Sequence, residues 1–255
     1  VNPVSKYLSE VLNDWQASRD DFPLNASSAP CWPIPFFGNP VTAALATVGV
    51  NPSGGEFRPD RNWDKTRDPH AWKLRLKEYF NRPHSIAHTP PHEWFEPWTL
   101  GLELIGLSYK AGTAAHFDIS YRPTTAMLRN RATDAREFRR MVERDVAWFF
   151  RLLPLCPDLR LLLTFGPLVR EDGSKESLAR FLVNQAPRHD FTASRDGIFW
   201  VCKRPGTGAG NPLFIHEVSW PGEKCVTCGV IKNLSAHRDR LRQILGLQPN
   251  SPPLQ

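Results

Sequence analysis

With 255 residues, 41% of them hydrophobic and 23% charged, the chain has apolar material for one sizeable core and the balance of a globular protein, which excludes a disordered or fibrous one. A formal charge of +6 and a pI near 9.2 favour an acidic partner such as nucleic acid without requiring one. No apolar run approaches the ~18 residues of a membrane span, and the start lacks a basic region followed by an apolar stretch. Neither membrane anchor nor signal peptide is therefore expected, and the five scattered cysteines fit a reducing, cytoplasmic setting better than a secreted disulfide framework.

In chain order, Leu8, Val11, Leu12 and Trp15 fall at helical spacing and predict an amphipathic helix over 5–16, within an N-terminal helical extension covering 1–30. The main domain is expected over 31–247, with 248–255 as a disordered tail. After the Pro-rich "APCWPIPFFGNP", the nearly uncharged "TAALATVGV" (42–50) reads as a strand covered on both faces, stopped by Asn51-Pro52-Ser53-Gly54-Gly55. "HAWKLRLKEYF" can turn Trp72, Leu76 and Tyr79 to one helical face, and "HFDISYRPTT" reads as a short strand running into a polar loop.

Asp134 with Glu137 three residues on forms a capping box for a helix whose apolar stripe holds Phe138, Met141, Val142, Phe149, Leu152 and Leu153. Its charges alternate in sign and read as a solvated face. "LRLLLTFG" is the next buried strand, "SLARFLVNQ" a helix, "GIFWVCK" and "LFIHEVS" strands, and "SAHRDRLRQIL" a basic helix. Apolar strands alternating with helices predict an α/β fold, a three-layer α/β/α sandwich around a central, mostly parallel sheet. In such a fold the functional residues sit beyond the carboxyl ends of strands, which selects "GVNPS", "FDISYRPTT" and "IHEVSWPG".

Taken in order, these three segments resemble the motifs of the uracil-DNA glycosylase superfamily, over roughly residues 40–245. Gly49-Val50-Asn51-Pro52-Ser53 is similar to the family's first motif, Phe117-Asp118-Ile119-Ser120 to its second strand end, and His216-Glu217-Val218-Ser219-Trp220-Pro221-Gly222 to its last. The resemblance implies a uracil-DNA glycosylase-like fold and a base-excision DNA repair hydrolase. Such an enzyme flips a damaged or modified base, uracil or a relative, out of the stack and cleaves its N-glycosidic bond.

In that reading Asn51 positions a water, Phe57 stacks on the base, Asp118 reads it, and His216 donates to the departing ring. Ser53, Gly54, Gly55, Ser219 and Trp220 would grip phosphates and DNA, small residues letting backbone N–H groups approach closely. Asp118 stands where the family places a base-reading Asn. An ionised carboxylate accepts but cannot donate, so the base is one that offers an exocyclic amine or ring N–H, unless Asp118 only caps a turn or pairs with Arg122.

The expected partner is DNA, single- or double-stranded, bound by a monomer with no membrane association. No cofactor and no metal are expected: Cys225-x-x-Cys228 lacks a second recognisable ligand pair for zinc, and the cysteines do not reproduce an iron–sulfur pattern. The alternative function is a catalytically weak nucleic-acid or modified-base binding protein of the same fold. A third class is a hydrolase or transferase for a small nucleotide or phosphate ester, using the Gly-rich turn and Asp60 or Asp64.

Overall fold

The computed structural model describes residues 2–21, 32–52, 56, 68–81, 91–124, 132–170, 172–203, 212–218 and 226–248. Nine strands alternate with seven helices among them. β1 is Phe36–Phe37, β2 Leu45–Gly49, β3 Ala114–Asp118, β4 Leu161–Phe165, β5 Pro167–Val169, β6 Lys175–Ser177, β7 Thr192–Asp196, β8 Phe199–Lys203 and β9 Leu213–Val218. The helices are α1 Pro3–Ser18, α2 Pro69–Lys77, α3 Glu96–Leu104, α4 Ala132–Leu152, α5 Leu178–Gln185, α6 Val226–Ala236 and α7 Arg238–Ile244.

Seven strands form one sheet in the order β1-β3-β2-β4-β9-β8-β7, while β5 and β6 make a separate hairpin. The four central strands, β3, β2, β4 and β9, run parallel; β1 pairs antiparallel with β3 on one side, and on the other β8 pairs antiparallel with β9 and β7 with β8. Leu45–Val48, Ala114–Asp118 and Leu161–Thr164 are buried at every position. Since successive side chains point to opposite faces, such runs need cover on both sides. His116 meets Trp94 and Phe95, just ahead of α3, on one face, and the next residue, Phe117, meets Phe149 of α4 on the other. The α/β architecture with a sheet between helical layers agrees with the sequence.

α3 packs closely on α6, where a Cβ at Gly101 would lie 2.8 Å from Val230 and 2.7 Å from Leu234. Both α2 and α5 begin as their sequences dictate. Asp68 accepts from the Ala71 N–H ahead of Pro69, and Ser177 accepts from the Arg180 N–H. In α4 the start is earlier than the capping box implies: the helix opens at Ala132, so Asp134 lies inside its first turn, and Glu137 pairs with Arg140 at 2.9 Å. β7, polar and exposed, and the β5–β6 hairpin carry no apolar pattern, which is why sequence periodicity passes over them.

α1 belongs to the common core through Val4, Tyr7, Leu8, Val11 and Leu12. It is joined to α4 by charge as well. Arg122 is fully buried and donates from Nε to Asp145 Oδ2 at 3.0 Å, from Nη2 to Ser18 Oγ at 2.6 Å and Tyr121 OH at 2.8 Å, and from Nη1 to the Ser18 carbonyl at 3.2 Å. Asp145 also accepts from Ser120 Oγ at 2.7 Å and Arg144 Nη1 at 3.0 Å, while Arg144 Nη2 reaches Asp14 at 3.0 Å. The expected solvated face of α4 is thus corrected at Asp145, which is fully buried because it neutralises Arg122. Replacing Arg122 by Ala leaves Asp145 buried without its main partner, and urea unfolding is expected to show a loss of about 3–5 kcal/mol. A loss below 1 kcal/mol would contradict this role.

Candidate functional site

β2 and β3 end side by side, Gly49 opposite Asp118, and their parallel pairing continues past the strands. Ile119 N–H donates to the Gly49 carbonyl at 3.2 Å, Ser120 N–H to Val50 at 2.9 Å, and Thr124 N–H to Pro52 at 3.4 Å. Two of the three motifs picked from sequence are therefore laced together at the same edge. They border a cavity of about 190 Å³ whose wall includes Phe37, Trp94, Phe95, Phe138 and Phe165, with Asn51, Glu56, His92, His116, Asp118 and Thr124 as its polar groups.

Asn51 is clamped by one end of its amide. Nδ2 donates toward the Pro52 carbonyl at 3.0 Å, the Arg122 carbonyl at 3.2 Å and Thr124 Oγ1 at 3.0 Å. Two of these partners are carbonyl oxygens, which only accept, so the atom facing them must be the nitrogen. Oδ1, an acceptor, is left without a hydrogen bond among the described residues, on a side chain that lines the cavity.

Asp118 is 4% exposed. Its Oδ1 lies 3.5 Å from His116 Nε2, and its buried Oδ2 has no hydrogen-bond partner among the described residues. Desolvation pushes the Asp118 carboxyl above the usual carboxylate range, with His116 opposing the shift. His116 Nδ1 in turn meets Thr47 Oγ1 at 2.9 Å, and Thr47 Oγ1 meets Tyr109 OH. If Tyr109 donates to Thr47 and Thr47 to Nδ1, every hydroxyl proton in this buried chain is satisfied, whereas the opposite polarity strands the tyrosine proton. The economical arrangement puts the imidazole proton on Nε2, toward Asp118.

This pair needs Gly49. A Cβ there would stand 2.8 Å from Asp118 Oδ1 and 3.2 Å from the His116 ring, a contact no side chain tolerates without displacing them. Across the cavity, Glu56 is buried and accepts from Tyr79 OH at 2.9 Å, and Tyr79 OH accepts from the His92 N–H at 3.1 Å.

Of the residues singled out from sequence, the structure brings Asn51 and Asp118 together. His216 does not line the cavity: it sits on β9, in register with Leu163 of β4 and, through it, Thr47 of β2, about 10 Å away by strand spacing. Its ring packs on Phe199 and His237, and Nε2 pairs with Asn233 Oδ1 at 3.0 Å. Burial lowers its pKa, which favours a neutral imidazole. Arg122 pairs with Asp145 and leaves Asp118 to His116. Phe57, Ser53, Gly54, Gly55, Ser219 and Trp220 lie outside the described residues, as do Asp60, Asp64 and Cys225.

His116, Thr124, Glu56 and the aromatic wall escaped the sequence reading. His116 had a signal, since it stands two residues before Asp118 and so shares its face of the strand. Glu56 and Trp94 had none, because chain distance hides their convergence. No group of three or more His, Cys, Asp or Glu side chains that could hold a metal occurs among the described residues, and no helix among them is long and apolar enough to cross a membrane. No family model matches the chain, and no curated protein matches it.

A carboxyl whose pKa is raised on folding binds its proton more tightly in the native state. It costs stability as pH rises from the unfolded value, about 3.9, through the folded one. Asp118→Asn removes that cost. Its stability relative to wild type, followed by urea unfolding from pH 4 to 8, is expected to climb with pH and then level off. A difference that shrinks with pH would contradict the burial reading.

Proposed function

We propose that the chain is a DNA glycosylase, a divergent relative of the uracil-DNA glycosylases that hydrolyses the N-glycosidic bond of a damaged or modified base. The observation that carries this reading is the clamped amide of Asn51, whose acceptor oxygen shares one aromatic-walled cavity with Asp118. At about 190 Å³ the cavity is smaller than the ~300 Å³ at the low end for drug-sized ligands, a size suited to one flat heterocycle. The first two strand-end motifs of the sequence, laced together beside the cavity, supply the second support.

In this mechanism a base leaves the stack and enters the cavity between aromatic side chains, which repay part of the unstacking. Asn51 Oδ1 accepts a hydrogen bond from a water and aims its lone pair at the sugar carbon as the base departs. An amide orients that water without deprotonating it, so the reaction relies on a leaving group already far from the sugar and on positioning. In this reading His116 and Asp118, both on the cavity wall, take the base-contacting part that the sequence resemblance gives to His216 and Asp118.

The test is formation of abasic sites in oligonucleotides carrying uracil, hypoxanthine, xanthine or hydroxymethyluracil, with Asn51→Ala as the control. The variant is expected to lose about a hundredfold in kcat with little change in KM. Absence of abasic sites on every substrate, or an unaffected variant, would refute the reading. Asn51→Asp should be worse tolerated than in a site built for a carboxylate. Its second oxygen would face the Pro52 and Arg122 carbonyls, with an expected stability loss of about 1–3 kcal/mol by urea unfolding at pH 7.

A further inference from the structure

The Asp118 carboxyl has no lysine or arginine beside it among the described residues, and His116, at 3.5 Å, is its one ion-pair partner there. That imidazole is neutral in the arrangement that satisfies the Tyr109 and Thr47 hydroxyls, because its Nδ1 accepts from Thr47. The charge of an ionised Asp118 is therefore left uncancelled. Its Oδ2 is buried without a hydrogen-bond partner among the described residues, on a side chain that lines the cavity. A carboxylate so placed is costly until a cation or a set of donors completes it. The wall around it is aromatic: Trp94, Phe138 and Phe165 line the cavity and are only partly buried, so each keeps ring surface for a ligand. The Trp94 ring lies 4.9 Å from the His116 ring, which sets an indole, the side chain that attracts cations best, beside the His116–Asp118 pair.

We propose, resting on the glycosylase reading, that the cavity takes bases made cationic by alkylation of a ring nitrogen and bearing an exocyclic amine, as in 3-methylcytosine or 1-methyladenine, and that ionised Asp118 selects them. The amine shares the positive charge and donates to Oδ2, while the flat ring lies against aromatic faces that attract a cation. The oxo base of the same outline is neutral and turns a carbonyl, an acceptor, toward a carboxylate that only accepts.

The chemistry follows from that charge. As the glycosidic C–N bond breaks, its electron pair passes into the ring and cancels the positive charge, so the base leaves neutral and needs no proton from the protein. The water held by Asn51 forms the new C–O bond to the sugar carbon and gives up one proton to solvent. The products are the neutral base, an abasic sugar and that proton, with no oxidant or further reactant. Such a leaving group suits an amide that orients water without deprotonating it. A base that leaves as its anion would set a second negative charge beside Asp118.

The experiment uses the full chain at pH 7 and oligothymidylate strands bearing one central 3-methylcytosine, 3-methyluracil, 1-methyladenine, 1-methylhypoxanthine or uracil, with abasic sites read as alkali-labile breaks above a protein-free control. Within each methylated pair the outline is kept and amino is exchanged for oxo, which removes the positive charge. The expected result is release of the charged member at least about tenfold faster in one or both pairs, an advantage that Asp118→Asn abolishes. A smaller ratio in both pairs, or faster release of the neutral members, would overturn this inference and, since abasic sites still form, leave the glycosylase reading intact. No release from any strand, uracil included, would end both. Binding of the free nucleosides 3-methylcytidine and 3-methyluridine, followed by amide NMR shifts of the wild type, gives a second readout that does not depend on the variant folding. Tighter binding of the cation is expected there, and equal or tighter binding of the neutral nucleoside overturns the inference too.

Discussion

A fully buried guanidinium must be neutralised where it lies, and the way Arg122 is neutralised sets the working end of this molecule. Asp145 from α4 and the end of α1 supply its partners, so the segment after β3 is tied to two helices. The same residue's carbonyl faces outward and accepts from Asn51 Nδ2, at 3.2 Å. One side chain thus anchors the loop to the core while its backbone orients the amide beyond β2. Because breaking a buried ion pair is far more costly than losing a surface one, this pairing ties the segment that carries Thr124, part of the cavity wall, to the core.

The layout of the sheet follows from apolar runs legible in the sequence. "ALATVG", "AAHFD" and "LLLTF" became the central parallel strands, and α4 formed along its predicted stripe, because hydrophobic periodicity is a direct readout of burial on one face or two. β7 has exposed side chains at nearly every position and is held to β8 by backbone pairing, so its sequence gave no such pattern. At the site, Asn51 and Asp118 were legible because the strand-end rule depends on topology alone. His216 failed to join them for a local reason: it lies within β9, before the strand ends at Val218, and α6 covers it through Asn233. Along α4 the sequence shows alternating charge but not the buried Arg122 that draws the Asp145 carboxylate inward.

Chemically, the cavity differs from a simple water-activating site. Its clamped amide offers an acceptor, and a hydroxyl-to-imidazole chain stands behind the Asp118 carboxyl. Gly49 is the steric condition for the His116–Asp118 pair, since a Cβ there would press on both side chains. The abrupt stop after the strand at Gly49-Val50-Asn51-Pro52 thus combines room for Asp118 at Gly49 with the clamped amide of Asn51 just beyond it.

The most direct measurement is a crystal structure of the protein bound to an oligonucleotide whose central nucleotide carries a 2′-fluoro group that resists cleavage. That nucleotide's base is expected inside the cavity, its edge within hydrogen-bond distance of Asp118 Oδ2, with a water on Asn51 Oδ1 facing the sugar carbon. A base that stays stacked in the DNA, or that enters elsewhere while the cavity stays filled only by solvent, would contradict it.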